Sequence, residues 1–296
     1  MRHKKITATI ILYNPDKSGL IRNLRSILEQ VSNVILVDNS KTALGNLLSE
    51  NFDTNTVSRI TYIFNDGNLG VAKAQNIGLR RAIAENADYC LIFDQDSLPE
   101  PDMVQNMYDD YQLLLRQGNK IAAIGPVPIN KQTGKAYEPR VQQRASFENA
   151  DWILKVNELI SSGLLVERAT LEDVGLMDER LFIDGVDHEW CWRAKEKGYA
   201  CALTYHAKLE HMLGEGDRKI MGARIAITSP FRVFYQYRNY IYLCRRKYVP
   251  TYWKLNNGVK YAIKLFYYPL FVAPRTVYLR NMINGIRAGF RRDSRQ

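Results

Sequence analysis

The sequence predicts an α/β fold, a doubly wound and mostly parallel sheet flanked by helices, followed by a basic, aromatic-rich helical extension. Two observations predict the sheet. Short apolar runs alternate with helical patterns through the first hundred residues, and each run ends in a polar cluster. Charge predicts the extension. Residues 231–296 hold 14 Lys or Arg against one acidic residue, Asp293, and 16 of the 32 Phe, Trp and Tyr residues. That segment is +13 while the whole chain is +10, which leaves −3 on the first 230 residues. Two chemically different parts meet near Ser229-Pro230, giving a larger domain over 1–229 and a helical segment over 230–296.

With 296 residues, 46% of them hydrophobic, the chain can bury a large core. Its four cysteines (Cys90, Cys191, Cys201, Cys244) form no C-x-x-C pair and no close-spaced framework, which disfavours a zinc ribbon or disulfide scaffold and favours a reducing compartment. Basic residues before the apolar run at 6–12 imitate a signal peptide, but no A-x-A-like site follows, so a first strand is expected there.

Strands are expected at 6–13, 34–37, 60–64 and 89–93, rich in Ile, Val, Leu and aromatic residues, with helices between them at 17–30, 42–50 and 71–86. A fifth strand is expected at 120–127, then a polar loop over 130–149. An apolar run at 160–166, a short helix at 169–174, a strand at 181–183 and a helix ending before Gly198 follow. Ligands bind at the carboxyl ends of the strands of such sheets. The residues placed there are Asn14, then Asp38-Asn39-Ser40, then Asn65 to Gly70, then Asp94-Gln95-Asp96. No G-x-G-x-x-G follows the first run and no G-x-x-x-x-G-K-[ST] occurs, so dinucleotide-binding and P-loop domains are disfavoured.

Asp94 and Asp96, one residue apart where a strand ends, can face one cation, and hard oxygen ligands suit Mg²⁺ or Mn²⁺. Bridged to a diphosphate, such an ion neutralises charge on a leaving group. The alternative is a surface turn. Asp38 can accept from the imino N–H of a uracil or thymine ring, with Asn39 or Ser40 adding polar contacts, or cap a helix starting near Thr42. Gly67 and Gly70 let backbone approach a ligand, and the helix N-terminus after them favours phosphate. Asn65, Asn68, Ser162 and Gly163 belong to the same nucleotide-binding set, and Arg80 or Arg81 faces either the phosphates or solvent. A second acidic cluster, Asp184 to Glu189, sits at a strand-to-helix junction. Asp187 is the candidate base for a hydroxyl proton, with Glu189 as acceptor-positioning or supporting residue, and the alternative is helix capping. Because position 192 is Trp, H-E-x-x-H fails and a zincin is disfavoured. His211, followed by Gly214, is a candidate to complete a metal shell; His206 is read as structural.

Together these motifs resemble the family 2 glycosyltransferases of GT-A fold. The resemblance rests on T-I-I-L-Y-N at 9–14, V-D-N-S at 37–40, N-x-x-N-x-G at 65–70 with A-x-x-x-N-I-G at 72–78, D-Q-D at 94–96, S-G at 162–163, V-D-H-E-W-C-W-R at 186–193 and H-x-x-G at 211–214. The form L-F-I-D-x-V-D-x-E-W and the later R-N-Y-I-Y-L at 238–243 are similar to bacterial rhamnosyltransferases of polysaccharide assembly, which use dTDP-L-rhamnose. The resemblance implies Asp38 at the nucleobase, Asp94 and Asp96 at the diphosphate and metal, Asp187 as base, His211 as a further metal ligand, and inversion in one displacement. The usual family form has Glu-Asp before a further Asp; here Val186 precedes Asp187 and Glu189 takes the later acidic place. A lipid-linked or growing glycan is the expected acceptor. Other nucleotide sugars, such as UDP-galactofuranose or a UDP-hexose, are the alternative donors.

Basic residues interleaved with aromatic rings in the extension suit an anionic membrane surface, with the rings at headgroup level. Internal packing, a homodimer interface and nucleic acid compete with this, and the last lacks a motif. The expected location is the cytoplasm, peripheral on the inner face of the plasma membrane. A sugar-1-phosphate nucleotidyltransferase would want a glycine-rich basic loop after the first strand, which Tyr13-Asn14-Pro15-Asp16 does not supply. A non-catalytic, membrane-bound glycan-binding scaffold is the rival from another class, and the intact acidic set disfavours it.

Overall fold

The apolar runs at 6–12, 34–37 and 89–93 form strands covered on both faces, which is why they read as continuous rather than alternating, while the run at 60–64 forms a half-buried edge strand. The computed structural model describes residues 4–130, 136, 145–211, 217–220 and 223–291. In chain order the elements begin β1 (Ile6–Leu12), α1 (Lys17–Leu28), β2 (Asn33–Asp38), α2 (Leu47–Asn51), α3 (Thr54–Ser58), β3 (Ile60–Phe64), α4 (Val71–Ala84) and β4 (Tyr89–Asp94). Next come β5 (Leu98–Pro99), α5 (Met103–Arg116), β6 (Ile121–Asn130), β7 (Ala145–Phe147), β8 (Ala150–Val156), β9 (Leu164–Glu167) and α6 (Arg168–Val174). The chain continues through α7 (Val186–Glu196), β10 (Ala200–His211), the hairpin β11 (Asp217–Ile220) and β12 (Ala223–Ala226), then α8 (Pro230–Cys244), α9 (Thr251–Phe271) and α10 (Arg275–Phe290).

The main sheet runs β3-β2-β1-β4-β9-β6-β10-β8-β7, with β5 on β10. It is parallel across β3-β2-β1-β4 and between β6 and β10, and antiparallel at the other pairings, so it is a mixed sheet flanked by helices. Side chains alternate along each strand. Ile10 and Leu12 of β1, Val34 and Leu36 of β2, and Leu91 and Phe93 of β4 pack with Leu24 and Ile27 of α1 and Met107 and Tyr111 of α5. On the other face Ile35, Val37, Cys90 and Ile92 meet Ala72, Leu79 and Ala82 of α4 and Trp190 and Trp192 of α7. A third cluster joins α8, α9 and α10 through Val233, Tyr237, Tyr268, Tyr278 and Met282.

Two expected elements differ. Instead of a helix at 42–50 there is a turn followed by α2 and α3. Gly45 has φ +61°, outside the right-handed helical region, and α3 starts where Asp53 accepts from the Thr56 N–H at 2.9 Å. Instead of a strand at 181–183, a 3₁₀ turn over Glu179–Leu181 leads into Phe182 at φ +64°, ψ −63°. There the Ile183 N–H donates to the Leu181 carbonyl at 2.7 Å, the strained form of γ-turn. Of the loop expected at 130–149, residues 131–135 and 137–144 lie outside the described residues, while 145–147 form β7. At the start of α8 Ser229 is the cap, accepting from the Arg232 N–H, and Pro230 occupies the first turn.

Candidate active site

Strand register gathers the polar clusters at one rim. Asp38 lies opposite Leu12, Asp94 opposite Ile11, and Phe64 opposite Asp38, so the chain leaves the four parallel strands β3, β2, β1 and β4 on the same side. Asn14 follows β1 and is exposed; Asn65 and Asn68 follow β3. Gln95, between the two metal-candidate aspartates, locks this rim. Its side-chain oxygen accepts from the Tyr13 N–H at 2.8 Å, its amide donates to the Tyr13 carbonyl at 3.2 Å, and its own carbonyl accepts from Asn23.

The turn Ser161-Ser162-Gly163 joins the two acidic clusters. Ser162 is buried, hydrogen-bonds the Asp94 carboxylate, and its hydroxyl lies 2.6 Å from that of Ser97. One residue earlier, the Ser161 N–H donates to Oδ2 of Asp187 at 3.2 Å, while the His188 N–H donates to Oδ1 at 2.9 Å. Burial first, then the charges of Asp96 and Asp187, push the Asp94 carboxyl up to about 7. These three carboxylates share one electrostatic neighbourhood, with the Arg232 guanidinium near enough to feel Asp187, and a divalent ion would relieve their mutual repulsion. Among the described residues no three His, Cys, Asp or Glu groups close a metal cage. Asp94 and Asp96 are the side chains here that could hold a divalent ion, since hard cations take oxygen ligands. The His211 side chain, expected as a further ligand, lies outside the described residues. His206 is structural in form, its ring stacked on Trp152 at 5.0 Å and 3.3 Å from Asp110.

The residues expected at the nucleotide hold each other. Asp38 is buried, its Oδ1 accepting from the Ser40 N–H at 2.8 Å and its Oδ2 from the Tyr62 hydroxyl at 2.7 Å. It caps no helix near Thr42. Burial and that bond to Asp38 raise the Tyr62 phenol to about 12, and its oxygen also accepts from the Leu44 N–H. Ser40 Oγ accepts from the Asn14 N–H; Asn39 donates to the Gly70 carbonyl and accepts from Asn65; Asn68 accepts from the Gly70 N–H.

Two expectations for this loop are corrected. The first N–H groups of α4 are not open to phosphate, because Val71 and Ala72 donate to the Phe182 carbonyl, at 2.6 and 3.3 Å. Nor does Gly70 make room for a ligand: a Cβ there would stand 2.5 Å from the Phe182 ring and 2.8 Å from its carbonyl oxygen, at φ +85°. Gly70→Ala is therefore expected to lower stability by about 1–3 kcal/mol from overpacking alone. Urea denaturation checks this, and an unchanged midpoint would show that Phe182 does not wedge the loop. Arg80 and Arg81 do not face the site either; they form surface ion pairs with Glu179 and Glu85.

Of the two roles expected for Glu189, positioning an acceptor or supporting the site, the geometry fits the supporting one. Two residues beyond Asp187 on α7 it points away from the cleft, 1% exposed. Its carboxylate accepts from Arg193 Nε at 3.0 Å, Arg246 Nη1 at 2.9 Å and the Tyr248 hydroxyl at 2.6 Å. It fastens the segment after α8 to α7 and is not free to position an acceptor. The extension reaches the site elsewhere too. Arg232 grips both oxygens of Asp184 at 2.7–2.9 Å, and Asn239 donates to the carbonyls of Leu181, Ile183 and Asp184. Helix α8 thereby holds the loop that leads to Asp187.

A family model described as glycosyl transferase family 2 matches residues 7–168 of the 296. The chain belongs to glycosyl transferase family 2. Over 257 residues this glycosyltransferase is 32% identical to the dTDP-rhamnosyl transferase RfbF of Shigella flexneri, covering 84% of this chain and 82% of that protein. It is 23% identical over 277 residues to the galactofuranosyltransferase GlfT1 of Mycolicibacterium smegmatis, covering 86% and 89%. Its fold is similar to that of GalNAc-T7 with UDP, GalNAc and Mn²⁺, with a TM-score of 0.60, 14% identity and coverage of 94% of this chain but only 54% of that one. It is also similar to S. aureus TarS 1-349 in complex with UDP-GlcNAc, with a TM-score of 0.59, 13% identity and coverage of 96% and 81%. The mixed sheet with its flanking helices is the GT-A fold.

Within this family 2 enzyme a cleft of about 420 Å³ opens between Tyr13 and Asn68 on the rim and Phe182, Phe231 and Tyr235. The Phe182 ring stacks on Tyr235 at 4.6 Å. Gln95, Tyr62, Phe182, Arg232 and Asn239 all shape the site and escaped the sequence reading. Gln95 carried a signal in its place between two candidate ligands, and Phe182 and Asn239 in the motifs L-F-I-D and R-N-Y-I-Y-L; Tyr62 and Arg232 carried none.

Proposed function

We propose that this glycosyltransferase moves L-rhamnose from dTDP-L-rhamnose to a hydroxyl of a lipid-linked or growing bacterial polysaccharide, with inversion and with a divalent metal. The observation that carries the reading is the gathering of Asp94, Asp96 and Asp187 about the Ser161–Gly163 turn. The similarity to RfbF supports the donor. Asp94 and Asp96 would hold Mg²⁺ or Mn²⁺, which as a Lewis acid stabilises charge on the departing diphosphate. Asp187, steadied by two backbone N–H groups, takes the proton of the acceptor hydroxyl while the acceptor's oxygen bonds to the anomeric carbon. The bond from that carbon to the diphosphate oxygen breaks on the opposite face, so the configuration inverts.

A panel of nucleotide sugars, followed by thermal shift with Mg²⁺ and then with EDTA, tests this. A donor at a hundred times its Kd adds about 2.7 kcal/mol, or on the order of 5–10 °C for a chain of this size. The largest shift is expected with dTDP-L-rhamnose, abolished by EDTA and by Asp96→Ala. A shift that survives both would remove the metal from the mechanism. A larger response to UDP-galactofuranose would favour the second reading, which the similarity to GlfT1 supports.

A further inference from the structure

Helix α9 carries a feature that the catalytic site does not use. Leu255, Val259, Ile263, Phe266 and Leu270 are each 53–72% exposed. At 3.6 residues per turn, their spacing of four, four, three and four places all five within an arc of about 80°. The opposite face is packed: Lys264 and Tyr268 are buried, Tyr261 contacts Tyr237 and Tyr240, and Trp253 meets Trp192. Helix α10 exposes Leu279, Ile283 and Phe290, with exposed Arg280 and Arg287 one step further round and exposed Arg291 just past its end. Neither helix contains an acidic residue. Helix α10 is held in this orientation because Gly285 and Gly289 let it close on α8; a Cβ there would meet the Phe234 carbonyl at 2.4 Å or Ile241 at 2.8 Å.

This revises how the extension would meet a membrane. Tyr237, Tyr268 and Tyr278 turn inward, so the outer face is aliphatic and Phe rather than a belt of Tyr and Trp. Among the described residues no helix is long and apolar enough to cross a membrane. A stripe of this width beside basic side chains is the pattern of a helix lying in the interface. A second copy is the competing occupant, but it would oppose two segments of +13, each with a single acidic residue. An anionic bilayer complements that charge.

We propose that the outer face of α9, flanked by the basic row of α10, lies in the headgroup layer of an anionic bilayer and is held by inserted apolar side chains rather than by charge alone. The proposal stands whichever donor the enzyme uses. Flotation of the full-length protein with vesicles of phosphatidylethanolamine and phosphatidylglycerol, at about 0.1 M and about 1 M salt, tests it, since charge attraction alone is screened at the higher salt. The wild type is expected to float at both salts, whereas Ile263→Glu and Phe266→Glu each lower the floating fraction roughly tenfold with unchanged circular dichroism and melting temperature. Wild type that stays at the bottom at low salt, or is released by the higher salt, overturns insertion. So does a wild-type dimer, seen by sedimentation without lipid, that Phe266→Glu dissociates.

Discussion

Replacing Asp187 with Asn lowers the rate of sugar transfer by about 10²–10⁴-fold, the usual contribution of a positioned general base, and leaves donor affinity nearly unchanged. The side chain keeps its size, and one of its two oxygens can still accept a backbone N–H. The other becomes an NH₂ facing an N–H of Ser161 or His188, a mismatch costing about 1–3 kcal/mol where buried. Stability therefore falls a little while the proton acceptor disappears entirely. Asp94 and Asp96, the acids proposed to bind the donor, remain, so calorimetric titration with donor and Mg²⁺ should return a Kd close to wild type while kcat collapses. Turnover within a factor of a few of wild type would show that another group takes the proton.

Glu189→Gln behaves in the opposite way: it costs stability and spares chemistry. The wild-type carboxylate is fully enclosed between Arg193, Arg246 and Tyr248. Arg246 also bonds Asp178, whose carboxyl is held down to about 2, with burial opposing Arg180 and Arg246. Breaking a buried pair by removing one charge costs about 3–5 kcal/mol, because the remaining charge stays desolvated. At about 2–4 °C per kcal/mol for a chain this long, the melting temperature should drop on the order of 10 °C. Below that transition the variant's kcat per folded molecule should stay near wild type. A variant that melts normally but turns over slowly would restore Glu189 to the acceptor side of the site.

The contrast between these two acids shows how far the sequence could be read. Asp187 and Glu189 sit two residues apart in one motif, and the spacing suggested a shared task. On a helix two residues differ by about 200°, so they face opposite sides. The sequence could have told that much once α7 was drawn. It could not tell that Arg246, 57 residues later, meets Glu189 from the far side.

The strands at 6–12 and 60–64, helix α4 and the rim position of Asp38, Asp94 and Asn65 followed from local pattern, because burial on two faces and alternation along a strand are written in neighbouring residues. The turn at 39–46 did not, since Tyr62 donates to Asp38 across two strands and the helical spacing at 42–50 had no such competitor in view. Gly70 and the α4 N-terminus looked like a phosphate cradle for the same reason: the Phe182 carbonyl that fills it lies more than a hundred residues away, in a strained turn that no propensity favours. Charge likewise divided the chain at Ser229-Pro230, but only packing showed that Arg232 and Asn239 of α8 build the loop before Asp187. Patterns between near neighbours settle which residues sit inside and where strands end. Which buried polar group meets which is settled by long-range closure, where each donor takes whichever acceptor the finished fold brings within reach.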